Sequence, residues 1–108
     1  MNLNEYQTLS RRTLPKDNYF SNLSNYGMGL SGEAGEVTDE LKKFLYHGHE
    51  LDIEKVKGEL GDVLHYVAGI ATMLELDLSD IAKYNIEKLK KRYPIGFSKE
   101  RSINRKVW

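Results

Sequence analysis

Apolar residues recur along this chain at helical spacing, in four stretches separated by turn formers. Leu3, Tyr6 and Leu9 stand three apart within residues 2 to 12, and Leu14-Pro15-Lys16-Asp17 follows them. The pattern predicts a short first helix and a loop over 1–18. From about 19 to 46, Leu23, Tyr26, Leu30, Ala34, Val37, Leu41 and Phe44 fall in a stripe roughly 80° wide at 100° per residue. This is the longest expected helix. Gly27, Gly29, Gly32 and Gly35 interrupt it, each costing up to about 1 kcal/mol of helix propensity. A close neighbouring helix or a ligand is expected where they stand.

His47-Gly48-His49 breaks the pattern, and Asp52 can cap a third helix over about 53–75. Its stripe is Val56, Leu60, Val63, Val67, Ile70 and Leu74, which is expected to pack on the stripe of the second helix. His65 falls on the opposite face, exposed or at a subunit contact. The two loop histidines, at i and i+2, could ligate a metal, but solvation is their default reading. After a turn near Glu75, a fourth helix over about 79–92 has Ser79 as its expected N-cap, Ala82, Ile86, Leu89 and Tyr93 as its core face, and Pro94 as its stop. The tail over 95–108 carries Arg101, Arg105, Lys106 and Trp108 and can drape over a neighbour. The reading is all-α, with a single domain over 1–108.

Composition narrows the function classes. A chain of 108 residues can bury one core but is small for a deep enclosed pocket, so oligomerisation is expected to supply missing walls. Sixteen basic and sixteen acidic residues balance to zero net charge, which removes any bulk electrostatic case for nucleic acid or membrane. The absence of Cys excludes disulfides, thiolate metal sites and Cys nucleophiles. With no leader-like N-terminus and no apolar run of about 18 residues, the expectation is a soluble cytoplasmic protein.

One motif occurs twice. Residues 32–37 read Gly-Glu-Ala-Gly-Glu-Val and residues 58–63 read Gly-Glu-Leu-Gly-Asp-Val, 26 positions later. Each copy puts two carboxylates, Glu33 with Glu36 and Glu59 with Asp62, one turn apart at the border of an apolar stripe. If the two helices pack together, the four converge. Such a cluster repels itself and is costly near a core unless a cation occupies it. Oxygen-only ligands suit a hard divalent ion, Mg²⁺ or Mn²⁺. Glu40, one turn beyond Glu36, is a candidate extra ligand but lies outside the motif, and exposed charge is its default reading. On the fourth helix, Asn85, Lys88 and Arg92 share one side, a donor set that suits phosphate oxygens. From spacing alone a solvated face is the default reading, because basic residues near a helix C-terminus also answer its dipole.

These residues carry a resemblance. Gly29-Leu30-Ser31-Gly32-Glu33-Ala34-Gly35-Glu36-Val37, then Glu59-Leu60-Gly61-Asp62-Val63-Leu64, then Asn85-Ile86-Glu87-Lys88-Leu89 with Arg92-Tyr93-Pro94 resemble the MazG-like, all-α nucleotide pyrophosphohydrolases. Their signature is ExxE, a spacer, then ExxD; here 22 residues separate the two halves. The resemblance covers about 25–97. It implies a four-to-five-helix bundle completed by homo-oligomerisation as a dimer or tetramer. It also implies Mg²⁺-dependent cleavage of a nucleoside triphosphate to the monophosphate and pyrophosphate. Glu33, Glu36, Glu59 and Asp62 would then be the metal ligands, with the general base among them, and Asn85, Lys88 and Arg92 the phosphate contacts. His65 stands where the relatives often have Trp, so base recognition does not transfer at that position. Gln7, Asn18, Asn22, Asn25 and Tyr66 are unranked candidates for it. A non-catalytic nucleotide-sensing or regulatory helical module, and phosphoribosyl-ATP pyrophosphohydrolysis, stay open as alternatives.

Overall fold

The structure is a computed structural model that describes residues 1–105; the expectation for Lys106 and Trp108 lies outside the described residues. Helix α1 (Leu3–Ser10) opens on a capping box, in which Asn2 Oδ1 accepts from the Glu5 amide at 2.8 Å and the Glu5 carboxylate accepts from the Asn2 amide. Such reciprocal bonds satisfy amides that have no partner inside the helix. One 3-10 turn, Arg11–Thr13, continues it, where the sequence suggested helix to residue 12. Helix α2 (Tyr19–Tyr46) has the expected bounds, and α3 (Ile53–Met73) starts as expected, with Asp52 Oδ1 accepting from the Lys55 amide at 3.1 Å. Helix α4 (Leu78–Arg92) is followed by a short α5 (Lys99–Ile103).

Helices α2 and α3 form an antiparallel hairpin with one consistent register. A Cβ on Gly69 would run into the buried Tyr26 ring, and a Cβ on Gly29 into the Tyr66 ring. Further along, Glu33 meets Asp62, and Glu40 pairs with Lys55. Glycine is needed at 29 and 69 because an aromatic ring from the facing helix occupies the space. Gly27, Gly32 and Gly35 have nothing within 4 Å of a Cβ, so a neighbouring helix approaches closely only at Gly29.

The seam is not made by the apolar stripes. Of the stripe residues on both helices only Tyr26 is buried, while Leu41, Phe44, Leu60 and Leu74 are all exposed by two-fifths or more. At 100° per residue the centre of the stripe lies about 65° round from the seam face on α2, where Tyr26 belongs to both, and about 100° round on α3. Because the helices run in opposite directions, rotation in the same sense brings both stripes to one side of the hairpin. That side is a broad open apolar face. The buried positions of α3 are Ala68, Gly69 and Ala71, and α1 packs along this helix.

The turn from α3 into α4 is held by α1. The buried Gln7 side chain accepts from the Leu78 amide at 2.7 Å and donates to the Leu76 carbonyl at 2.8 Å and to Thr72 Oγ1 at 3.1 Å. Asn4 Oδ1 accepts from the Ser79 amide at 3.2 Å. Asp77, not Ser79, holds the N-cap position, and its side chain makes no cap bond. Two side chains from another helix do that work, which the sequence alone could not display. The expected core face of α4 stays largely open, with Ile86 50% and Leu89 40% exposed. At the other end, Arg101 of α5 donates to the Arg92 carbonyl at 2.8 Å and to the Lys91 carbonyl at 3.3 Å, closing the α4 C-terminus. Tyr93 and Phe97 stack beside it at 5.3 Å.

Candidate functional site

Polar chemistry concentrates where the α2–α3 seam passes from aromatic to acidic. Each carboxylate there is positioned by a regular stretch of helix, so spacing along the helix axis sets its depth in the seam. Glu33, Glu59 and Asp62 each offer an oxygen, and these oxygens lie within 4.8 Å of one another. Among the described residues they are the group able to hold a metal ion. Glu33 and Glu59 are half-buried and Asp62 is exposed. Desolvation holds the Glu59 carboxyl above its ordinary range; a hydrogen bond shared with Glu33 and the charges of Glu33 and Asp62 push the same way, and Lys55 partly offsets them. Crowded carboxylates of this kind are what a bound cation would relieve, and three hard oxygen donors fit Mg²⁺ or Mn²⁺.

Glu36 lies one turn along the same edge, exposed and outside that trio. It adds to the field around Lys55, whose ammonium is raised above its usual range first by its hydrogen bond to Glu40 and then by the charges of Glu40, Glu59 and Glu36. Lys55 Nζ stands 2.8 Å from Glu40 Oε1, and the Glu40 side chain is only 11% exposed. The sequence reading of Glu40 as exposed charge is therefore corrected: it is enclosed, and it terminates the acidic seam through an ion pair. The missed signal was register, since position 40 faces position 55 only once the hairpin is aligned.

Gly32, Gly58 and Gly61 fall on the flank of the seam away from the apolar face, and a Cβ on any of them would meet nothing within 4 Å. The carboxylates are thus approachable from that flank.

One turn beyond the acids, Tyr66 lies edge-on to Tyr26 at 5.1 Å, and His65 packs against both rings at 5.4 and 5.8 Å. Ser10 Oγ and His65 Nδ1 are 2.7 Å apart, and Thr13 Oγ1 is 3.4 Å from Nε2. His65 is consequently partly covered within the chain, where α1 and its 3-10 turn fold onto the helix face that looked outward. The other base-contact candidates separate. Gln7 is committed to the α3–α4 turn, Asn22 donates to the carbonyls of Pro15 and Asp17, and Asn18 occupies a left-handed position before α2. Asn25 is exposed. His47 and His49 lie on an exposed segment and belong to no metal group among the described residues.

Asn85, Lys88 and Arg92 sit on α4, which packs chiefly against α1. The structure brings Glu33, Glu59 and Asp62 together; it does not bring the α4 set to them within one chain. Among the described residues no helix is long and apolar enough to cross a membrane.

Comparison with known proteins adds to this geometry. A family model of the MazG nucleotide pyrophosphohydrolase domain matches residues 21–97. The "Gene 37 protein" of Mycobacterium phage L5 is 37% identical over 87 residues, covering 77% of this chain and 76% of its own. No solved structure matches.

Proposed function

The chain belongs to the MazG nucleotide pyrophosphohydrolase domain family, and from that premise we propose that it hydrolyses a nucleoside or deoxynucleoside triphosphate to the monophosphate and pyrophosphate with Mg²⁺, or Mn²⁺, as cofactor. The observation that carries this reading is the convergence of Glu33, Glu59 and Asp62 oxygens within 4.8 Å. Glu33, Glu36, Glu59 and Asp62 would hold the metal. When bound, the ion neutralises charge on phosphate oxygens and acidifies a water. A carboxylate of the quartet that is not engaged by metal accepts the proton of the attacking water. Asn85, Lys88 and Arg92 bind the phosphate chain, the two cations offsetting charge that grows on leaving pyrophosphate.

The proposal includes a homodimer or homotetramer. The accessible surface of 8360 Å² compares with about 6,200 Å² for a compact monomer of this mass. A surplus of roughly 2,000 Å² is what a large subunit interface removes, and the apolar face of the hairpin offers the surface. Within one chain α4 lies along α1, so its Asn85, Lys88 and Arg92 meet the acidic seam of another copy. A cytoplasmic setting belongs to the same proposal and suits a cysteine-free chain.

Release of pyrophosphate from a panel of ordinary, deoxy and modified triphosphates, with Mg²⁺, tests the reaction. Release from at least one is expected, abolished by chelator. No release from any by metal-saturated protein would favour a non-catalytic, nucleotide-sensing module.

A further inference from the structure

A second cleft lies away from the acidic seam. Arg11, Arg12 and Lys16 border a cavity of about 700 Å³ with Leu14, Pro15 and Thr72. All three cationic residues are exposed, and among the described residues none of their side chains makes an ion pair or hydrogen bond. Arg11 also borders an adjoining polar cleft that contains Glu75 and Asp77, without pairing to either. Cations at the end of an eight-residue helix answer its dipole. That accounts for neither Lys16, beyond the turn, nor an open cleft with Leu14 and Pro15 in its lining.

The volume falls in the range of small-molecule sites, about 300–1,000 Å³. Two guanidinium groups and an ammonium suit oxyanions, the former by paired donors and the latter as a point charge. Except for Thr72, every residue bordering this cavity precedes the segment matched by the family, residues 21–97. Thr72 lies roughly 160° round α3 from the centre of its apolar stripe, so the cleft stays open when that stripe is covered.

We propose that this cleft binds the pyrophosphate group of a small phosphorylated ligand without a metal ion. Three unpaired cations approach the charge of that group, and the apolar lining accepts a less polar portion beside it. The ligand class has two sources, free pyrophosphate and a nucleotide tail, which share this chemistry.

Calorimetric titration of the full chain in EDTA tests it, with inorganic pyrophosphate in one arm and ADP in the other. Chelation removes any cation from the acidic seam, which then repels phosphate, so binding that persists and responds to substitution of the cleft cations belongs to the cleft and not to the seam or to the α4 set. Saturable binding near one per chain is expected in at least one arm, and the tighter arm identifies the source. Arg12→Gln and Lys16→Gln should each weaken it by about tenfold, the effect of one charge-assisted contact, while Glu59→Gln leaves it intact. Circular dichroism checks that all three substitutions keep the fold. Absence of saturable heat in both arms, binding unchanged in both cleft variants, or binding lost in Glu59→Gln would overturn the assignment. The outcome is independent of whether the acidic seam hydrolyses triphosphates.

Discussion

Glu59 links charge to stability more directly than any other side chain in the seam. Its carboxyl is raised by desolvation, by the bond shared with Glu33, and by the charges of Glu33 and Asp62. A raised folded pKa means that protonation favours the fold. The contribution is full below the ordinary carboxylate value of the unfolded chain and is lost as pH climbs through the raised one. Scanning calorimetry of chelated protein should show this loss, and Glu59→Gln should flatten it. Mg²⁺ at 100 times its dissociation constant should add about 2.7 kcal/mol and remove the loss in the parent, whereas Glu59→Gln and Asp62→Asn lose turnover and most of the Mg²⁺ response. Chelated Asp62→Asn that melts well below the parent, with both insensitive to Mg²⁺, would make the cluster a structural hydrogen-bond network. Gly69 presents the opposite case, a residue whose role is to have no side chain. Gly69→Ala drives a methyl into the buried Tyr26 ring, and overpacking of this kind costs about 1–3 kcal/mol. A lowered urea midpoint with an unchanged slope is the expected reading.

At the scale of helices, α1 and α4 respond differently to substitution. Gln7→Ala leaves the buried Leu78 amide and the Leu76 carbonyl without their partners; a stranded buried polar group costs about 1–3 kcal/mol. Stability should fall by at least that much, with Mg²⁺ affinity of the folded fraction unchanged. Lys88→Ala and Asn85→Ala should do the reverse, keeping stability within about 0.5 kcal/mol while transition-state stabilisation drops by about 1.5–3 kcal/mol. Steady-state kinetics beside urea titration separates the two, and normal kinetics in both α4 variants would return that face to solvent. The helices themselves were legible because 3.6-residue spacing and cap residues are local. The real cap of α4 was not, because Gln7 and Asn4 reach it across more than 70 positions of sequence.

The whole molecule is extended, with a radius of gyration of 16.7 Å against about 13 Å for a compact chain of this length. Light scattering should report a dimer or larger, and a charge on the apolar face, Leu60→Lys, should push it toward the 12.5 kDa chain with loss of turnover. A clean active monomer would sink the assembly. Mixing inactive Glu59→Gln with weakened Lys88→Ala, under conditions where subunits exchange, should raise activity above that of the two variants measured apart, because a mixed assembly contains one site with both groups intact. No recovery despite demonstrated exchange would put α4 and the seam in the same chain.

Sequence alone determined the all-helical class, the two repeated acidic pairs and the family, because helical period, caps and short motifs are properties of near neighbours along the chain. It mistook the apolar stripes for the hairpin seam, since hydrophobic spacing marks what avoids water and not which partner covers it. Tertiary structure decided that small and aromatic residues interlock at the seam, that Glu33, Glu59 and Asp62 converge while Glu40 is tied to Lys55, and that α1 partly covers His65. Each of these depends on register between helices, a choice made by Tyr26 against Gly69 and Tyr66 against Gly29, pairs that lie too far apart in sequence for any local pattern to reveal.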